Sequence, residues 1–379
     1  MLVMTVAVSD FGWGSVGKLR LILDELNRVG GAKVQIVAEP DCIDLLRRVM
    51  PGRVEQQRID GQHVDLGLVV NDPVRADSMW NSGIPVVYVD SLPYLWKLPA
   101  EVPRTVEFYC AQRYPQNGLL LDNGPLKHRS DITWIDPIVP QPQARTGNGG
   151  IVIAVGGLHS HLSQHSVMAY QEVVVIPLAR MLVRSGHRIA AICGNLDHRI
   201  VCQLNNIVGA DVAVGPYTAV EFEEALVDAR LLFTSPGSTT ILQAAAMKVP
   251  TALLPPQNLS QILNVEVFST PSVVTAAWPA SVIDRNRVED LRPFGEDVVL
   301  HYVYQSIVDA ANSLEARLCI ERTLERCLDF AADPCETLTH LSALGHSGAR
   351  DIAGIIAGRL DAARVRQIRA GRGTAAARD

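Results

Sequence analysis

Hydrophobic and polar positions fall in short alternating blocks along this chain. Runs at 5–8, 34–38, 66–70 and 85–89 are almost wholly apolar, as expected for strands buried on both faces of a sheet. Between them, 19–28 and 42–49 carry apolar residues at helical spacing. A second series begins at 151–155 and continues through 173–185, 189–193, 200–208 and 212–214. Strand–helix alternation of this kind predicts a parallel sheet in each half, covered on both faces by helices. Residues 301–332 read as one or two further helices, with Tyr302, Ile307, Ala310 and Leu314 at helical spacing.

The segment 137–150, PIVPQPQARTGNGG, is almost devoid of apolar residues and separates the two series. The expected division is 1–140, a linker at 141–150, a second domain at 151–335, and a C-terminal helical segment with a basic tail at 336–379. A length of 379 residues and 48% hydrophobic content suffice for two cores. No apolar run approaches the roughly 18 to 20 residues that span a bilayer, and the start carries neither a basic stretch nor a cleavage site. The expectation is a soluble, cytoplasmic protein with no integral membrane segment. Its seven cysteines show no CxxC spacing, so they read as small buried hydrophobes. The net charge of -6 argues against general nucleic-acid binding, and the basic run at 359–378 reads as a frayed tail. No short repeat is present, and nothing in the sequence fixes the oligomeric state.

The most informative stretch is 231–264, LLFTSPGSTTILQAAAMKVPTALLPPQNLSQILN. An apolar strand runs into Ser235-Pro236-Gly237, and Ser238, Thr239 and Thr240 then fall at a helix start. Unpaired N–H groups and the positive end of the helix dipole favour an anion there, and small hydroxyl side chains leave room for it. The plainer alternative is that Ser238 only caps the helix. A second strand follows, and Gln257, Asn258, Gln261 and Asn264 cluster at its exit.

In this order the segment resembles the donor-binding signature of GT-B nucleotide-sugar glycosyltransferases, notably the peptidoglycan N-acetylglucosaminyltransferase and the UDP-glycosyltransferases. The resemblance implies an α/β GT-B fold of two Rossmann-like parallel-sheet domains facing a central cleft. It implies that Gly237, Ser238, Thr239 and Thr240 hold a diphosphate, with Gln257, Gln261 and Asn264 on the sugar or phosphate. Two positions depart from the pattern. Gln243 stands where the family has a Glu for the ribose, and Lys248 replaces the Gly of its Gly-x-Pro step.

Three further stretches can carry chemistry. Asp10-Phe11-Gly12-Trp13-Gly14-Ser15-Val16-Gly17-Lys18 places a G-x-G-x-x-G after the first strand, with Glu39 ending the second, and so mimics a dinucleotide-binding fingerprint. The rival reading is an NAD-dependent oxidoreductase. In the GT-B reading the same loop, with Gly12, Trp13, Gly14, Ser15 and Lys18, serves the acceptor. Gly156, Gly157 and Ser160 form a second glycine loop that the resemblance places on donor sugar and phosphates. His159, His161 and His165 match no zinc spacing, and no Asp-x-Asp pair exists, so no metal is expected.

Tyr217 and Thr218 align with the segment that holds the nucleotide base, or form a helix-entry turn. Asp90, Tyr94 and Trp96 put an acid and two aromatics after a first-domain strand, where a planar acceptor such as a nucleobase would stack or the rings would simply be buried. Asp10 and His159 are the candidate bases. The opening loop and the Asp-Ser-Leu-Pro-Tyr-Leu-Trp segment are similar to those of cytosylglucuronic acid synthases of nucleoside-antibiotic pathways. That implies UDP-glucuronate as donor, cytosine as acceptor, and Lys18 or a histidine on the uronate. No cofactor beyond the nucleotide-sugar co-substrate is expected. An epimerase of the same fold and a partner-binding pseudoenzyme are the other readings.

Overall fold

The computed structural model describes residues 2–9, 13–30, 34–40, 43–49, 52–54, 56–59, 61–115, 124–127, 129–156 and 166–375. The chain divides into two compact units, one of residues 1–10, 15–140 and 344–379, the other of 11–14 and 141–343.

The first unit is built on a seven-stranded parallel sheet in the order β3-β2-β1-β4-β5-β6-β7. Its strands are β1 (Leu2–Val8), β2 (Val34–Ala38), β3 (Gln56–Gln57), β4 (Leu66–Val70), β5 (Val86–Asp90), β6 (Phe108–Gln112) and β7 (Ile132–Ile135). All residues of β4 and β5 are buried, the consequence of helices on both faces. β6 and β7 were not marked by the apolar runs and extend the sheet beyond the predicted strands. Helices α1 (Trp13–Val29), α2 (Ile43–Val49) and α3 (Pro73–Asn81) accompany the strands. α1 begins six residues earlier than its predicted start, because the buried stripe of Ser15, Val16, Leu19, Ile22 and Leu23 already runs at helical spacing there. The glycines at 14 and 17 therefore lie inside a helix.

The second unit holds a six-stranded parallel sheet, β10-β9-β8-β11-β12-β13. It comprises β8 (Ile151–Val155), β9 (Ile189–Gly194), β10 (Ala213–Gly215), β11 (Leu231–Thr234), β12 (Thr251–Leu253) and β13 (Val274–Thr275). Its helices are α4 (Ser166–Tyr170), α5 (Ile176–Arg184), α6 (His198–Val208), α7 (Ala219–Asp228), α8 (Ser238–Ala246), α9 (Leu259–Phe268), α10 (Arg285–Leu291), α11 (Glu296–Ala311) and α12 (Leu314–Ala332). A π-helical turn, Gln171–Val175, joins α4 to α5, and the fully buried Gln171 accepts from the Asp197 N–H at 3.0 Å.

In both sheets the first strand of the unit is central, with its successors on one side and the later strands on the other. Each unit is thus a Rossmann-like domain, and the expected pair of parallel-sheet α/β domains is what the chain forms.

Residues 141–150, expected as a linker, group with the second unit. Gly149 and Gly150 run so close to its backbone that a Cβ would lie 2.5 Å from the Asp228 carbonyl oxygen and 2.6 Å from that of Arg188. The C-terminal stretch joins the first unit. In α13 (Gly348–Ala375), Ile352, Ile356 and Leu360 enter that unit's core, and Arg359, at the head of the predicted frayed tail, donates to Glu107 at 2.6 Å. Among the described residues no helix is long and apolar enough to cross a membrane.

Candidate functional site

At the carboxyl end of the second unit's sheet, β11 ends at Thr234 and the chain turns through Ser235 and Pro236 into α8. Gly237 is the N-cap, so no side chain closes the first turn of the helix. Ser238, Thr239 and Thr240 are its first three residues, which removes Ser238 from the capping role. The first backbone bond of the helix runs from the Ile241 N–H to the Gly237 carbonyl, at 3.0 Å. One and a half turns on, Gln243 is buried at 6% exposure, and its Nε2 has no hydrogen-bond partner among the described residues. A buried amide left in this state costs free energy that a bound acceptor oxygen would recover.

The amides after β12 are engaged with the strand ends around them. Gln257 donates through Nε2 to the Gly156 carbonyl at 3.0 Å and to Ser235 Oγ at 2.7 Å. Gln261 donates to the same Gly156 carbonyl at 3.1 Å, while its Oε1 accepts from the Gln257 N–H at 2.8 Å. Asn258 caps α9 by accepting from the Gln261 N–H, and Asn264 donates to the Pro236 carbonyl at 2.7 Å. The ends of β8, β11 and β12 are thereby locked to one another, with no cost in unsatisfied polar groups at these amides. A Cβ on Gly156 would meet nothing within 4 Å.

Lys248 occupies the left-handed region, with φ at 55°, and its N–H donates to the Ala245 carbonyl at the end of α8. This is the conformation for which glycine is suited, so the departure at this position preserves the turn and replaces the residue that makes it easily. Arg145 donates to the Lys248 carbonyl and, at 2.8 Å, to that of Ala229. Thr218 is the N-cap of α7 in a capping box with Glu221. Tyr217 hydrogen-bonds Cys193 at the end of β9, and burial pushes its phenol up to about 12.

The first unit gathers a second polar cluster at its own strand ends. Ser9 follows β1, Asn71 follows β4 and Ser91 follows β5. Asn71 has φ at 57°, and its Nδ2 donates to Ser15 Oγ at 3.1 Å and Ser91 Oγ at 2.8 Å while its Oδ1 accepts from the Ser91 N–H at 2.8 Å. Ser9 and Ser15 hydroxyls are 2.8 Å apart. Asp90 is wholly buried and accepts from the Tyr109 hydroxyl at 2.6 Å, the Trp96 indole at 2.8 Å and the Leu92 N–H at 3.0 Å. Burial nevertheless outweighs these bonds and the nearby Arg129, and pushes the Asp90 carboxyl up to about 6. Lys18, one turn after Ser15, is 2% exposed, and burial pushes its ammonium down to about 8 against the opposing pull of Asp90. Tyr94 is buried, with its ring edge-on to Tyr114 at 4.9 Å between centroids.

The dinucleotide fingerprint finds little support in these residues. Glu39 is buried and already bound by the Thr5 hydroxyl at 2.9 Å and by Arg58 at 2.7 Å. A Cβ on Gly17 would meet nothing within 4 Å, so the third glycine is not needed for helix–strand packing, which is its role in that motif. Asp10, Gly12, Gly157, His159, Ser160, His161 and His165 lie outside the described residues, as does the side chain of Trp13. Among the described residues no group of His, Cys, Asp and Glu could hold a metal ion.

Sequence reasoning missed Ser9, Asn71, Ser91 and Tyr109, although Asn71-Asp72-Pro73 after the apolar run at 66–70 is a strand-exit signal.

Residues 37–290 match the family described as CGA synthase-related protein. No curated protein matches the chain. Among solved structures, MurG of Acinetobacter baumannii aligns with a TM-score of 0.48 at 13% identity, covering 91% of this chain and 99% of MurG. CalG4, the calicheamicin glycosyltransferase, aligns at 0.48 and 14% identity over 95% of this chain and 98% of its own. The UDP-GlcNAc 2-epimerase of Neisseria meningitidis, bound to UDP-GlcNAc, aligns at 0.46 and 10% identity over 82% of this chain and 99% of the epimerase.

Proposed function

The chain belongs to the CGA synthase-related family, and from that membership we propose that it is a metal-independent glycosyltransferase that moves glucuronate from UDP-glucuronate to cytosine. The product is cytosylglucuronic acid, a step in nucleoside-antibiotic biosynthesis. The observation that carries the reading is the start of α8, where a side-chain-free N-cap at Gly237 precedes three small hydroxyl residues and Gln243 follows, its Nε2 without a hydrogen-bond partner among the described residues. Backbone N–H groups and the helix dipole there would hold the UDP diphosphate and stabilise it as the leaving group. Gln243 would meet a ribose hydroxyl. Gly156, Gly157, Ser160, Tyr217, Gln257, Gln261 and Asn264 complete the proposed donor side.

The acceptor nitrogen attacks the anomeric carbon as the bond to UDP breaks, and Asp10 or His159 takes its proton. In this reading the first unit receives the acceptor.

The test is thermal unfolding with UDP, GDP, dTDP and NAD in separate samples, followed by mass spectrometry of a reaction containing UDP-glucuronate and cytosine. Stabilisation by UDP and formation of the conjugate with release of UDP are the expected results. Stabilisation by NAD alone overturns the assignment, and UDP release without conjugate points to an epimerase.

A further inference from the structure

At the edge of the first unit's sheet, β2 and β3 run parallel and finish together, with Ala38 opposite Gln57. The Arg58 N–H extends this ladder by one step, donating to the Ala38 carbonyl at 2.8 Å. Beyond these carboxyl ends lies an open recess of about 730 Å³, a volume in the range of small-molecule sites. Pro40 and Ile59 supply apolar wall, and Arg47, Gln57, Arg58 and Gln62 supply hydrogen-bond donors. Ile59 is 71% exposed, so the wall it forms is apolar surface left in water.

The polar lining is prepared for an oxyanion. Glu39, 1% exposed at the end of β2, has Arg58 Nε 2.7 Å from one carboxylate oxygen, and its other oxygen accepts from Arg58 Nη2 at 3.3 Å. This side-on pairing fixes the guanidinium and leaves Nη1, with two N–H donors, unengaged among the described residues. Arg75 shares the same carboxylate at 3.6 Å, so two guanidiniums stand against one acid. The Gln62 Oε1 accepts from the Ile59 N–H at 3.2 Å, so Nε2, its donor end, is what Gln62 can offer a ligand. Among the described residues lining the recess there is no Asp or Glu. In a dinucleotide-binding domain the acid at this strand end takes a ribose hydroxyl. Here it orients an arginine, the side chain suited to a phosphate, and ordering that arginine beforehand lowers the cost of binding.

We propose that this recess binds the phosphomonoester of a small organic molecule, with the Arg58 and Arg47 guanidiniums and the Gln62 amide on the phosphate and with Ile59 and Pro40 against the organic part. The volume far exceeds one oxyanion, which is why an ester and not the bare ion is the fitting occupant. The site belongs to the first unit and stands independently of which nucleotide the second unit takes.

The full-length protein is titrated calorimetrically at low ionic strength with glucose 6-phosphate, AMP and CMP, each beside its uncharged parent, with inorganic phosphate, and separately with UDP. At least one ester should bind saturably, about tenfold or more tighter than inorganic phosphate and than its own parent, as expected for charge-assisted bonds joined to apolar contact. Gln57→Glu puts an acid into the lining on an exposed strand position and should weaken that ester about tenfold or more while leaving UDP affinity unchanged. Absence of ester binding by the wild type overturns the proposal, as does ester affinity no better than that of inorganic phosphate. Ester binding that Gln57→Glu leaves undiminished overturns it too, because the ester then sits elsewhere. If Gln57→Glu gives no cooperative unfolding transition, Arg47→Ala replaces it, and undiminished ester binding by that variant overturns the proposal. Failure of UDP to bind the wild type counts against the nucleotide reading alone.

Discussion

The hydroxyl of Tyr109 on β6 donates to the carboxylate of Asp90 on β5 across 2.6 Å, in an interior where Asp90 has no exposed surface. Burial lifts the carboxyl from an ordinary 3.8 to about 6, so the unfolded chain releases this proton at lower pH than the folded one. The contribution is full below the unfolded value and is lost as pH rises through about 6, amounting to about 3 kcal/mol. Asp90→Asn cannot titrate. The stability advantage of wild type over Asp90→Asn, from urea unfolding at a series of pH values, should therefore shrink by about 2 kcal/mol between pH 4 and pH 7. A constant difference would show that Asp90 is ionised throughout.

Lys18 follows the opposite logic. Its ammonium is lowered from 10.5 to about 8, so between those values the unfolded chain holds more protons and stability rises with pH. Below about 8 the penalty for burying the charge is present in full, about 3 kcal/mol. Lys18→Met should consequently be as stable as wild type or more so at pH 7, with the gap closing as pH approaches 10.5. A Lys18→Met protein that loses more than about 2 kcal/mol at pH 7 would instead identify Lys18 as the structural partner of Asp90.

At Lys248 the backbone holds a φ of 55° at the end of α8, and the side chain is exposed. Glycine adopts this conformation without a Cβ penalty, and the carbonyl that accepts from Arg145 is retained. Lys248→Gly should raise the urea midpoint, corresponding to a gain of about 0.5 to 1 kcal/mol. No gain would mean that the lysine side chain has a compensating contact.

The strand-rich part of this fold was legible because its strands are buried on both faces and so read as unbroken apolar runs. The signature at 231–264 was legible for a related reason, since strand, turn, helix and strand follow one another with no long-range pairing to infer. α1 was read too short because Gly14 and Gly17 look like loop residues, and only burial of Ser15 and Val16 reveals the earlier start. The polar cluster around Asn71 and Asp90 was beyond reach in its full composition. Ser9, Asn71, Ser91 and Tyr109 come together only through the order of β1, β4, β5 and β6, which no local pattern specifies. The engagement of Gln257 and Gln261 with Gly156 is hidden in the same way, because it joins the ends of β8 and β12, which lie on opposite sides of β11.

Gln261 is a positioning residue in this arrangement. Truncation to alanine removes the acceptor for the buried Gln257 N–H and one of two donors to the Gly156 carbonyl. Gln261→Ala should cost about 1 to 3 kcal/mol of stability by urea unfolding. UDP affinity should fall with it, because Gly156 at the end of β8 and Gln257, which holds Ser235 before α8, lose their shared anchor. A variant that keeps wild-type stability but loses UDP binding would place Gln261 directly on the ligand.

Gln243 separates a structural from a binding role most sharply. Its Nε2 is buried without a partner among the described residues, so Gln243→Leu, which matches it in size and removes the orphaned donor, should stabilise the ligand-free protein by about 1 kcal/mol or more. If the amide awaits a ribose hydroxyl, the same substitution should weaken UDP by about fivefold to tenfold, the effect of one lost neutral hydrogen bond. Thermal unfolding with and without UDP reads both quantities in one experiment. Stabilisation of the free protein together with a smaller UDP-induced shift supports the donor site at α8. Stabilisation with an undiminished shift would leave Gln243 a packing residue and move the ribose elsewhere.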